Sequence, residues 1–402
     1  MKDTSIISIL LTVPADLKEG EETGMSGGNR IMFESIKNWT EMIDHQEIIT
    51  CRSGKRMIEA NIKNLDRITI RQIWVPGFLY KNLLLLFLYK TIVGSLYMVL
   101  RSYRKEHKTI IFSSSDIFPD SIPAFFAKLF HPKLKWAAAF YFFASKPFSK
   151  EFPYKGIGAI ARGMLYFYSQ SICYFLIRKF SDFVVACNEI DRKRFIAERY
   201  AERNICAIYG GVDLQEAEAV AEPAEKKYAA VYMARFHPQK GPLIAAQVWN
   251  EVVKQQKNFR LAMIGNGPDE EIVKAYIKDH NLSANIDLLG FMDGQKKYKV
   301  LKSAKVFLHT PVYDTGGMAA AEGMAARLPV LAFDLDGFDY CYPQGIIRVS
   351  PVGDYVKMAK VFLKLIADET LYNQTQSEAL ELVQEWDWKN RADFILRRLT
   401  SC

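Results

Sequence analysis

The stretch Tyr228-Ala229-Ala230-Val231-Tyr232-Met233 runs directly into Ala234-Arg235-Phe236-His237-Pro238-Gln239-Lys240-Gly241-Pro242. Six apolar residues bounded by turn formers read as a buried strand, and Gly241-Pro242 opens a helix. Between them stand two cations, Arg235 and Lys240, beside the free N–H groups of a helix start, an arrangement suited to an anionic phosphate. Taken alone, the same loop also fits an exposed helix opening with incidental charges.

Outward from this stretch the strand rhythm repeats. Downstream, Arg260–Ile264, Ile286–Leu289, Val306–His309 and Val330–Phe333 are apolar runs separated by helix-like segments. Upstream, Ile6–Val13, Gln46–Thr50, Ile68–Val75, Thr109–Ser113, Trp136–Phe140 and Phe183–Ala186 do the same. Alternation of this kind predicts α/β architecture with doubly wound sheets. A polar Glu/Ala/Pro-rich stretch at 215–227 interrupts it and reads as a linker between two α/β domains. The domains expected are therefore 1–214 and 215–385. A last helical segment, 386–402, begins at a bend near Trp386 and Trp388 and returns across the junction.

A length of 402 residues exceeds what one core usually supports, in agreement with two domains. Six cysteines are scattered without a Cys-x-x-Cys pair, and the histidines show no metal spacing, so no metal site is expected and a reducing cytosol fits. The apolar run after the N-terminus is short for a signal sequence and lacks a small-residue cleavage site. The net charge of +8 is uneven: residues 51–200 hold 25 Lys/Arg against 10 Asp/Glu. Such an excess suits nucleic acid, a membrane surface or an anionic substrate.

Further motifs follow the downstream strands. Gly265-Asn266-Gly267-Pro268 is a turn at which backbone can approach a nucleotide closely. Leu289-Gly290-Phe291-Met292 comes next, then Pro311-Val312-Tyr313-Asp314-Thr315-Gly316-Gly317, which leads into a helix over 318–326 carrying Glu322. Asp334-Leu335-Asp336 has the form of a metal-binding Asp-x-Asp, but its place in the loop after a strand marks it as a pair of solvated turn acids.

The ordered set of Arg235 and Lys240, Gly-x-Gly-Pro, Leu-Gly-Phe, and two acids with seven residues between them resembles glycosyltransferase family 4, the retaining enzymes of GT-B fold. The resemblance is close over about 228–335. It implies two Rossmann-like domains facing across a cleft, and no cofactor beyond a nucleotide-diphosphate sugar, UDP- or GDP-linked, as substrate. It further implies that Arg235 and Lys240 hold the diphosphate, that Asp314 contacts the donor sugar, and that Glu322 grips the ribose. Gly316, Gly317 and Met318 reach the phosphates from the backbone, Gly265 and Gly267 approach the nucleotide, and Phe291 and Met292 border the base. Gly27-Gly28-Asn29-Arg30 matches the family's glycine-rich loop after the first strand. Two departures stand out: the sugar-contacting Glu is here Asp314, and a frequent His after the 136–140 strand is missing, the chain continuing Tyr141-Phe142-Phe143.

On the acceptor side, Asp116 and Tyr141 are the candidates to face the cleft, although Asp116 also reads as a helix-capping acid. The apolar run 83–100, interrupted by Lys90, predicts a helix buried in a bundle or lying on a surface. A dozen aromatics between Phe140 and Phe175, interleaved with Lys146, Lys150, Lys155 and Arg162, suit a bilayer interface. The expected partners are a nucleotide-sugar donor and a glycan or lipid-linked acceptor, with peripheral membrane contact through 51–200 and no nucleic acid. The expected place is the cytoplasm, at the inner face of the cell membrane. The rivals to transfer are a catalytically weak scaffold of the same fold and another GT-B activity such as a nucleotide-sugar epimerase or a phosphorylase.

Overall fold

A computed structural model describes residues 4–12, 27–62, 65–103, 108–149, 156–314 and 316–401. It divides into two compact units, Met1–Ile208 with Arg391–Cys402, and Tyr209–Asn390.

The first unit is built on strands β1 (Thr4–Leu10), β2 (His45–Thr50), β3 (Ile68–Gln72), β4 (Lys108–Ser113), β5 (Lys135–Phe140), β6 (Phe183–Ala186) and β7 (Ile205–Ala207). They pair in parallel in the order β3-β2-β1-β4-β5-β6-β7. Parallel strands covered by helices on both faces are buried along their length, and all seven residues of β1 are, Thr4, Ser5 and Ser8 included. The helix Trp388–Thr400 contributes Ala392, Ile395, Leu396 and Leu399 to this unit's core, the spacing of one helical face. Trp39 Nε1 donates to Ala392 O at 2.8 Å.

The second unit holds β8 (Tyr228–Met233), β9 (Leu261–Ile264), β10 (Ile286–Leu288), β11 (Ala304–His309), β12 (Val330–Phe333) and β13 (Ile346–Val349), in the order β10-β9-β8-β11-β12-β13. Its core is separate and is centred on residues such as Trp249, Tyr298 and Phe307.

The α/β expectation holds, with two strands added to it, β7 and β13. The expected domain limits at 214 and 385 differ from the structural ones at 208 and 390. The physical reason is a small parallel bridge: Val212 N donates to Trp386 O at 2.8 Å and Trp388 N to Val212 O at 3.0 Å. That bridge fastens both connecting segments to the second unit. The stretch 215–227 is accordingly no linker; it includes most of a short helix, Leu214–Glu218, whose Ala217 is buried in the second core.

Strand order reverses direction between β1 and β4 in the first unit and between β8 and β11 in the second. In open α/β sheets the crevice beyond the carboxyl ends of such a strand pair is where ligands bind. The predicted chemistry-bearing loops of the second unit, 234–241 and 310–317, follow β8 and β11.

Candidate functional site

In the second unit these two loops are tied together before any ligand is considered. Val312 N donates to Gln239 O at 3.0 Å, Thr310 Oγ1 to Gly241 O at 2.8 Å, and Gln239 Nε2 to Tyr313 O at 3.1 Å. A single turn of 3-10 helix, Pro238–Lys240, then places the Lys240 ammonium 2.8 Å from Asp314 Oδ2. The predicted pair of cation and sugar-contacting acid is therefore a direct ion pair. Arg235 lies on the same loop with its guanidinium exposed and, among the described residues, unpaired. A fixed but partly accessible ammonium and an open guanidinium can meet an incoming anion without a large rearrangement.

Beneath Asp314 lies His309, at the end of β11 and fully enclosed, its Nε2 3.6 Å from Asp314 Oδ2 and without a hydrogen-bond partner among the described residues. Burial, reinforced by nearby Lys240 against the opposing pull of Asp314, lowers its pKa to about 4. The ring is thus neutral at physiological pH, and it leaves Lys240 as the ammonium paired with Asp314. His237 is also shifted downward, first by burial and then by Arg235.

Gly265 and Gly267 have positive φ, and a side chain at either would strike the first loop: a Cβ at Gly265 would fall 1.9 Å from Ala234 O, and one at Gly267 2.3 Å from Phe236 O. The glycines that sequence reasoning assigned to close nucleotide approach therefore admit the backbone of the Arg235 loop itself. Phe291 and Met292 follow β10 as half-buried residues, Met292 packed on the core.

The helix Met318–Ala325 starts from Gly317 in the left-handed conformation, φ 55°. Tyr342 Oη donates to the carbonyls of Gly316 and Gly317 at 3.0 and 2.7 Å, which fixes the turn. The amides of Gly316, Gly317 and Met318 thus belong to a clamped helix entrance, where backbone N–H groups have no intrahelical acceptors. One turn along, Glu322 Oε1 accepts from the ammonium of Lys297 at 2.7 Å. Sequence reasoning missed both Tyr342 and Lys297. Lys297 carried a faint signal, since it lies four residues after the capping acid Asp293 on a helical stretch.

The remaining predicted residues lie in the first unit. Gly27 and Gly28 form the first turn of the helix Gly27–Trp39, and residues 13–26 before it lie outside the described residues. A Cβ at Gly28 would stand 2.6 Å from the Tyr141 ring, so the glycine admits that ring. Asp116 does not cap the following helix, Phe118–Phe130; Ile117 is the residue at that position. Instead Asp116 is buried and accepts from Gln170 Nε2 at 2.8 Å and from Tyr141 N at 3.3 Å. Burial, partly offset by these bonds, raises its pKa to about 7. The two acceptor-side candidates are neighbours. Asp334 and Asp336 are exposed on either side of the buried Leu335, in the turn after β12.

Comparison with known proteins assigns the second unit. Residues 214–381 match the family described as glycosyl transferases group 1. This part of the chain is a glycosyl transferases group 1 domain. Among curated relatives, the phosphatidyl-myo-inositol mannosyltransferase of Mycobacterium leprae is 26% identical over 170 residues, 42% of this chain and 45% of the relative. The alpha-monoglucosyldiacylglycerol synthase of Acholeplasma laidlawii is 28% identical over 160 residues, 39% of this chain and 37% of that one. The chain thus matches less than half the length of these relatives. For the fold, Anabaena HepE, solved with UDP and glucose, aligns with TM-score 0.70 at 15% identity, covering 99% of this chain and all of that one. TarM aligns with TM-score 0.69 at 14% identity and 98% coverage of both chains. The fold is therefore GT-B, two Rossmann-like domains.

Proposed function

We propose that the protein is a retaining, metal-independent glycosyltransferase that moves a hexose-type sugar from a UDP- or GDP-linked donor to a glycan or lipid-linked acceptor. The observation that carries this reading is the Lys240–Asp314 ion pair at the β8/β11 crevice, beside the open Arg235 and the clamped entrance of the helix Met318–Ala325. Scission of the anomeric C–O bond leaves both electrons on the diphosphate. Charge that grows there is stabilised by cations already in place, and Lys240 and Arg235 take the part a metal would otherwise play. Asp314, released from Lys240 as the diphosphate arrives, faces the sugar. The departing phosphate oxygen accepts the proton of the attacking hydroxyl on the same face, which retains the anomeric configuration and requires no protein base. Glu322 binds the ribose, and backbone near Phe291 and Met292 borders the base.

A lipid-linked acceptor is favoured by the two relatives named above, one a phosphatidyl-myo-inositol mannosyltransferase and the other an alpha-monoglucosyldiacylglycerol synthase. The first unit adds its own support. The helix Leu83–Leu100 has mean hydropathy 2.0, yet only 28% of it is buried. Lys90, the charge that interrupts the run, turns inward and donates to Leu11 O at 2.8 Å. The outer face is left to Leu84, Leu85, Leu88, Ile92 and Leu96, with Trp74 and Phe78 exposed just before the helix. An uninterrupted apolar face on a basic unit fits a peripheral seat on an anionic leaflet at the inner face of the cell membrane.

The test is a thermal-shift screen of the intact protein with UDP, GDP and ADP in EDTA, together with flotation of the protein on anionic vesicles. A rise in melting temperature with one nucleotide supports the reading and names the base. Binding that requires added divalent metal refutes metal independence, no shift with any nucleotide favours the scaffold reading, and failure to float with the vesicles removes the membrane seat.

A further inference from the structure

Lys297 is an unusual residue to find where it is. It sits on the helix Gly294–Lys302 with its side chain only 3% exposed, between two carboxylates: Asp293 Oδ1 at 3.1 Å and Glu322 Oε1 at 2.7 Å. Enclosing an ammonium is costly unless it is paired, and an apolar side chain at such a position commonly serves stability as well or better. A chain of fixation starts from the backbone: Asp293 Oδ1 also accepts from Gly294 N at 2.9 Å, which anchors the acid that anchors Lys297. Lys297 in turn holds Glu322 by Oε1, and among the described residues none donates a hydrogen bond to its Oε2.

We infer that Lys297 is a positioning residue for donor recognition: by occupying Oε1 of Glu322 it fixes the carboxylate and presents Oε2 as the acceptor for a ribose hydroxyl. The inference rests on the ribose-binding role proposed for Glu322. A glutamate free to rotate would lose conformational freedom each time the nucleotide bound, whereas one already clamped has lost it on folding. With Oε1 already occupied, Oε2 is the oxygen left to accept, so that a hydroxyl donor is matched and its absence leaves that oxygen unsatisfied. Recognition of the ribose, and with it discrimination against a deoxyribose, then depends on a residue that need not touch the nucleotide.

The experiment is calorimetric titration of the full chain with UDP, GDP and their 2′-deoxy forms, comparing wild type with Glu322→Gln, Lys297→Met, Lys297→Arg and the Lys297→Met/Glu322→Gln double variant. Wild type is expected to prefer the ribonucleotide about tenfold, the scale of a hydrogen bond to a charged group. Lys297→Met should abolish most of that preference and add nothing to Glu322→Gln, and Lys297→Arg should restore part of it. A Lys297→Met protein that keeps the preference and only melts earlier would show a plain structural ion pair and overturn the inference, while leaving the role of Glu322 intact. Glu322→Gln without effect on either nucleotide would overturn both. If Lys297→Met does not fold, Asp293→Asn at an exposed position loosens the same ammonium; a smaller loss of preference supports the clamp, and an unchanged preference refutes it.

Discussion

The two switch points share a topology and use their acids in opposite ways. Beyond β1 and β4, Asp116 and Asp120 are 3% and 0% exposed, and their hydrogen-bond donors are neutral: Gln170 and the Tyr141 amide for the first, the Leu11 amide, Ser114, Ser115 and Thr12 for the second. Burial pushes both carboxyl pKa values up. Beyond β8 and β11, the side chains of Asp314 and Glu322 are 13% and 20% exposed, and each meets a lysine. An enclosed acid satisfied by dipoles stitches loops together. An accessible acid paired with a cation keeps two charges that a ligand can engage, so identical topology at the two places does not mean identical use.

The largest effect that could break this contrast is expected at Lys240. Lys240→Ala removes a cation whose interaction strengthens as the diphosphate gains charge, so turnover should fall about 100-fold or more while affinity for the free nucleotide falls far less. Single-turnover rates and nucleotide titration check this. A loss confined to affinity, with turnover intact, would make the Lys240–Asp314 pair a ground-state contact only.

That contrast was only half legible in the amino-acid sequence. Strand patterning reveals both sheets because buried parallel strands carry near-continuous apolar runs; Tyr228–Met233 and Phe183–Ala186 are bounded as expected. β13 escaped because the exposed Arg348 breaks its apolar run, and β7 because only Ile205, Cys206 and Ala207 follow the polar turn Glu202–Asn204. Lys240 and Asp314 could be proposed from motif order, but that they touch follows from the backbone bonds between their loops, which no side-chain code records. Asp116 read as a cap because a cap needs only local sequence, whereas its real partner, Gln170, is 54 residues away. Lys297 looks like one more surface lysine until the helix beside it is placed.

A smaller effect should appear in the first unit. Asp120→Ala leaves the Leu11 amide and the Ser114 and Ser115 hydroxyls without their acceptor in a buried place. The expected cost is about 3 kcal/mol, a fall in melting temperature of roughly 10 °C for a unit of this size. Nucleotide affinity should stay within about twofold, since the change is confined to an acid that serves the fold. An affinity loss without a melting shift would reverse the assignment of the two crevices.

The smallest effects are in pH dependence, where the two crevices should carry opposite signs. Asp116 holds its proton up to about pH 7 in the folded chain, whereas an unfolded aspartate releases it near 3.9. Between those values the folded state binds the extra proton, so this contribution to stability is complete below pH 4 and is lost as pH rises to 7. His309, with its pKa lowered to about 4 by burial, behaves inversely: its contribution is complete above pH 6.5 and is lost as pH falls through 4. Melting curves of Asp116→Asn and His309→Gln from pH 4 to 8 separate the two. Relative to wild type, the Asn variant should gain stability toward pH 7 and the Gln variant should gain it toward pH 4. A flat difference for Asp116→Asn would mean that Asp116 is ionised throughout, and the first crevice would then hold a charge ready for chemistry as the second does.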